Sequence, residues 1–148
     1  MRALIVSGYR GEPINHKLDA QLGRWPRYEL TPAQREVAEP EIHAALVWLG
    51  EGVLIEGESQ GVDELCRAIA KVHDYGCTVL PMPAQWRKHG KRAGTLRNEA
   101  MLHVLRQLRD CGYECRVLCL PGPKSRGTRH MERIARDAEF DVTVQELP

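Results

Sequence analysis

An α/β fold with a Rossmann-like, doubly wound parallel sheet is the class this sequence predicts. Short apolar runs alternate with helical stripes along the whole chain, which is the pattern of strand–helix–strand units. The runs are apolar on consecutive residues, so both faces of the strands are expected to be buried. Glycine- and charge-bearing loops follow the runs, whereas the connections that precede them, Gly50-Glu51-Gly52 and Asp74-Tyr75-Gly76, read as plain helix stops. In such a sheet the ligand lies beyond the carboxyl ends of the strands, where the strand order reverses.

The elements follow in order. Ala3-Leu4-Ile5-Val6 is a central strand ended by Ser7-Gly8. Residues 9–30 show no period and form a connection long enough to suggest a lid or binding loop. Thr31-Pro32-Ala33-Gln34 opens a helix with a capping box and a proline at its first position. Pro40 is expected to kink or restart that helix. Ile42, Ala45, Leu46 and Leu49 form its apolar stripe. Val53-Leu54-Ile55 is the second strand, and Leu65, Ala68, Ile69 and Val72 stripe the next helix. Cys77-Thr78-Val79-Leu80 is the third strand, stopped by Pro81. A basic loop then leads to a helix from Leu96, with Thr95 as its cap. Residues 115–120 are the fourth strand, residues 131–138 stripe the last helix, and residues 142–144 form the last strand. The expected strand order is 3-2-1-4-5.

The chain of 148 residues suits one domain, 1–148, with a net charge of +1. That charge gives the whole molecule no attraction for nucleic acid, so any basic site is local. No apolar stretch has the length of a membrane span or the form of a signal peptide. Five cysteines, some of them in core strands, point to a reducing, cytoplasmic setting. Cys111, Cys115 and Cys119 read as core residues, and no metal site is expected.

Four loops carry the chemistry. The first is Ser7-Gly8-Tyr9-Arg10, in which Arg10 is placed to grip phosphate or ribose. The second, residues 57–63, offers Gly57, Glu58, Ser59, Gly61 and Asp63; the Asp63 carboxylate suits ribose hydroxyls or the first turn of a helix. The third holds Trp86, Arg92, Gly94, Thr95, Arg97 and Asn98. A basic, glycine-containing loop feeding a helix N-terminus suits an anion, and the Trp86 ring suits a base. The fourth holds Pro121, Gly122, Ser125, Gly127 and Thr128. Thr128 stands where a P-loop needs lysine, and the three-glycine dinucleotide pattern is missing from the first loop.

Together these blocks resemble the SLOG superfamily, and within it the YspA-like small proteins of bacteria and phages. The blocks are Ser7-Gly8-Tyr9-Arg10; Gly57 with Gly61 and Asp63; Trp86, Gly90, Ala93, Gly94, Arg97, Asn98 and Met101; and Pro121-Gly122 with Gly127-Thr128. The resemblance implies a Rossmann-like fold that binds a nucleotide-derived small molecule, such as ADP-ribose or a nucleoside monophosphate. A related branch, the Lonely Guy family, hydrolyses the N-glycosidic bond of nucleoside monophosphates. Arg97 and Met101 match one of its motifs. Pro121, Gly122, Gly127 and Thr128 match the other in part, with Pro123 replacing a glycine and Met131 standing in the place of a glutamate. Binding without hydrolysis is therefore expected. Were the chain an enzyme, Arg97 would stabilise charge, with Glu58 or Glu132 as acid–base group. A single-stranded nucleic-acid binder is the third reading. No cofactor is called for, no membrane contact is expected, and homo-oligomer formation is left open.

Overall fold

The structure, a computed structural model, describes residues 1–148. Five parallel strands form the main sheet: β1 (Arg2–Gly8), β4 (Val53–Glu56), β5 (Thr78–Pro81), β6 (Glu114–Leu120) and β7 (Asp141–Val144). Their order is β5-β4-β1-β6-β7, with β1 at the centre. The expected numbering 3-2-1-4-5 counted five strands. Two more lie in residues 9–30, where β2 (Glu12–Ile14) and β3 (Arg27–Glu29) pair antiparallel around the short helix α1 (His16–Gln21).

β1 shows why the sheet is apolar on both faces. Leu4 and Val6 point to one side, into a cluster with Ile42, Leu46 and Leu49 of α2 (Pro32–Leu49) and Val62, Cys66 and Ile69 of α3 (Val62–Val72). Ala3 and Ile5 point to the other, against Met101, Leu102 and Leu105 of α5 (Ala93–Asp110) and Met131 and Ala135 of α6 (Arg126–Asp137). The result is a parallel α/β sandwich compatible with a Rossmann-like fold. No helix is long and apolar enough to cross a membrane, and all five cysteines are free thiols.

The capping box of α2 is present. The Gln34 amide donates to Thr31 Oγ1 at 3.2 Å, and the Gln34 side-chain oxygen accepts from the Thr31 amide at 3.0 Å. Thr31→Ala should lower stability by about 1 kcal/mol, which a urea unfolding series would read as a lower midpoint with an unchanged slope. A midpoint equal to that of the parent would show that the box contributes nothing.

Four expectations change. Pro40 lies inside α2 without restarting it; it is exposed, so water can satisfy the carbonyl one turn back. Pro81 belongs to β5, where an edge strand tolerates its missing donor. The buried face of α3 includes Val62 and Cys66, while Ala68 and Val72 are exposed. Thr95 is not a cap. The basic segment is already helical, as α4 (Trp86–His89) and a 3-10 turn (Gly90–Arg92), so α5 begins at Ala93. The Thr95 hydroxyl instead donates back to the Arg92 carbonyl at 3.0 Å.

Candidate functional site

The four loops meet over the carboxyl ends of β1, β4, β5 and β6. Between them lies a cavity of about 420 Å³. The first loop is held in place by its backbone. The Tyr9 amide donates to the Leu120 carbonyl at 2.9 Å, and the Tyr9 carbonyl accepts from the Val62 amide at 3.0 Å. Gly61 permits this approach, since its φ is +77° and a side chain there would run into the backbone of Tyr9 and Arg10. Gly122 lies against the Tyr9 ring in the same way.

Residues 9–30 close one wall. The Tyr9 hydroxyl donates to Glu12 Oε1 at 3.0 Å, and the Tyr28 amide donates to Gln60 Oε1 at 2.5 Å. The Arg10 guanidinium lies 4.2 Å from the centre of the Tyr28 ring. Arg10 is thereby held on an aromatic face rather than left to sample solvent. Burial, and then the hydrogen bond to Glu12, push the Tyr9 hydroxyl above the usual tyrosine range.

Asp63, at the start of α3, is 4 % exposed and lines the cavity. Its Oδ2 accepts from the amides of Gly57 at 3.2 Å and Ser59 at 3.3 Å. Its Oδ1 has no partner. Burial pushes its pKa up to about 7, against the pull of the Arg97 guanidinium. Arg97 Nη1 donates to the Gly57 carbonyl at 2.6 Å, and Arg97 Nε donates to Asn98 Oδ1 at 3.1 Å. The buried Asn98 then reaches across to the fourth loop, where its Nδ2 donates to the Gly127 carbonyl at 3.0 Å. The same nitrogen lies 3.2 Å from His130 Nδ1. Burial first, then Arg133, lowers the His130 pKa, so the ring is neutral and can accept.

The fourth loop ends in the first turn of α6. Ser125 Oγ donates to Thr128 Oγ1 at 3.1 Å. The first-turn amides have no acceptor within the helix, and Gly127 and Thr128 carry two of them to the cavity wall. The charge balance of the lining is positive: Arg10, Arg97, Lys124 and Arg126 face one carboxylate, Asp63.

Of the residues chosen from sequence, Gly8, Tyr9, Arg10, Gly57, Ser59, Asp63, Trp86, Gly94, Arg97, Asn98, Ser125, Gly127 and Thr128 line the cavity. Others do not. Arg92 is exposed on the 3-10 turn, and Thr95 lies off the wall with it. Pro121, Gly122 and Gly61 shape the loops from behind. Glu58 is exposed and stands outside the lining. Glu132 is drawn away by ion pairs to Arg129 at 3.1 Å and Arg136 at 3.5 Å. Met131 is fully buried in the core under α6.

Comparison with protein-family models, curated proteins and solved structures gives no match.

Four side chains escaped the sequence reading, three in the cavity lining and one, Glu56, behind it. Lys124 and Arg126 lie in a loop already singled out, but charge alone did not distinguish them from solvated neighbours. Tyr28 comes from a strand of three residues, too short to show a period. Glu56 ends β4 fully buried, with its Oε2 paired to Arg67 at 2.7 Å and accepting from the Glu58 amide at 2.5 Å. Its other oxygen is unpartnered, and burial raises its pKa. No group of three or more His, Cys, Asp or Glu side chains is placed to hold a metal ion.

Proposed function

We propose that this chain is a SLOG-type protein of the Rossmann-like, doubly wound class. In this reading it binds a nucleotide or nucleotide-derived ligand, of the ADP-ribose or nucleoside monophosphate kind, in the cavity at the carboxyl ends of the strands. The observation that carries the reading is the pairing of an anion-suited end with a hydroxyl-suited one. At one end are the first turn of α6, Lys124 and Arg126, where helix amides and cations favour a phosphate. At the other is Asp63, buried and with an unsatisfied Oδ1. An unpaired buried acceptor costs about 1–3 kcal/mol, and a ribose hydroxyl donating to it removes that cost. The volume of about 420 Å³ lies in the range of small-molecule sites.

Binding without turnover is the favoured form of the reading. The position where the hydrolytic branch uses glutamate is a buried methionine, and a thioether cannot transfer a proton. Neither Glu58 nor Glu132 lines the cavity. Titration calorimetry with ADP-ribose and adenosine monophosphate tests the binding; heats equal to buffer dilution for both would end it. Adenosine monophosphate incubated with the protein for hours should yield no free adenine by chromatography. Release that Asp63→Asn abolishes would make the protein a hydrolase, with the lining carboxylate as its acid–base group.

A further inference from the structure

Two tryptophans stand in water beside the cavity. Trp25, between α1 and β3, is 77 % exposed, and Trp86, at the start of α4, is 53 % exposed. The third tryptophan, Trp48, is covered by the guanidinium groups of Arg116 at 4.3 Å and Arg2 at 5.3 Å. Trp25 and Trp86 line a shallow groove of about 470 Å³ together with Ala84, Gln85, Arg87 and Lys88. The lining has two cations and no carboxylate. Trp86 stands in the walls of both groove and cavity.

We infer that the groove takes the second base of a dinucleotide whose phosphates lie in the cavity. The ligand class is then two nucleosides joined through a phosphate bridge. The inference rests on the nucleotide reading above and extends it. A flat, uncharged base suits a groove with two indoles in its lining, because stacking needs a π-surface and little hydrogen bonding. Arg87 and Lys88, in the groove lining, add positive potential beside the bridging phosphates held in the cavity. A nucleoside monophosphate fills the cavity alone and has no group for the groove. The segment 9–30 then serves both parts of the ligand, presenting Tyr28 to the cavity and Trp25 to the groove.

Three probes separate the possibilities: adenosine monophosphate, ADP-ribose, and diadenosine diphosphate, which differs from ADP-ribose by one added adenine. Calorimetry should find diadenosine diphosphate bound about tenfold more tightly than ADP-ribose. Trp25→Ala should erase that difference and leave adenosine monophosphate unchanged, while Trp25→Phe retains most of it. Trp25 is exposed, so the variant should unfold at the parent's urea midpoint. Equal affinities of the parent for ADP-ribose and diadenosine diphosphate would overturn the inference and leave the nucleotide reading standing. Failure of all three probes to bind would end both. Affinity for oligoadenylates that climbs with every nucleotide beyond the second would also overturn it, since the groove would then be a path for a strand.

Discussion

Arg97→Ala should weaken binding of ADP-ribose and adenosine monophosphate by about ten- to a hundredfold and leave the fold intact. Hydrogen bonds to charged groups contribute about 1.5–3 kcal/mol, and each 1.4 kcal/mol is tenfold in affinity. Arg97 is half-buried and its guanidinium is fixed at two points, the Gly57 carbonyl and Asn98 Oδ1. A charge held in this way has given up part of its side-chain freedom before the ligand arrives, so more of its interaction energy appears as affinity. Gly57→Ala separates position from charge. A Cβ at Gly57 would stand 2.6 Å from Arg97 Cζ and 2.9 Å from Asp63 Oδ2. The guanidinium must move aside, although its charge remains. Gly57→Ala should therefore reproduce most of the loss seen in Arg97→Ala. Parent-like affinity in both variants would remove Arg97 from the site, and parent-like affinity in Gly57→Ala alone would show that charge matters and placement does not.

What was legible in the sequence follows from how local each signal is. The unbroken apolar run of β1 is what a strand covered on both faces requires, so its burial could be read directly. The Thr31 and Gln34 box involves four consecutive residues and needs no tertiary partner. The convergence of four loops follows from strand–helix alternation alone. The features that were missed depend on contacts and turns that exist only once the chain is folded, whether the partners are near or far in sequence. Nothing local to Glu56 marks it as buried, because Arg67, which pairs with it, comes from the next helix. Glu132 looked available for chemistry because its pairing to Arg129 and Arg136 appears only once α6 is wound. Thr95 has the chemistry of a cap, but the helical turns at Trp86–His89 and Gly90–Arg92 start the helix before it.

Asp63 should make the protein less stable as pH rises through the weakly acidic range. Its carboxyl titrates at 3.8 when unperturbed and at about 7 in the fold, chiefly because burial disfavours the charge. Between those values the folded state holds a proton that the unfolded chain has released. Stability therefore falls as pH rises across that window, and above it the full cost of the buried carboxylate remains. Glu56 is also raised by burial and adds a slope of the same sign. Urea midpoints at about pH 4 and about pH 8 should show the decline. Asp63→Asn keeps an oxygen for the Gly57 and Ser59 amides, so it should stabilise the protein at the higher pH and remove Asp63's share of the decline. An unchanged slope in the variant would mean that Asp63 does not titrate in this range. The same carboxyl connects stability to binding. Ligand hydroxyls donating to Oδ1 favour the charged form, so binding near neutral pH should expel a proton. Calorimetry in two buffers of different ionisation enthalpy would count that proton, and Asp63→Asn should abolish its release. Identical heats in both buffers for the parent would mean that the ligand does not reach the Asp63 oxygen.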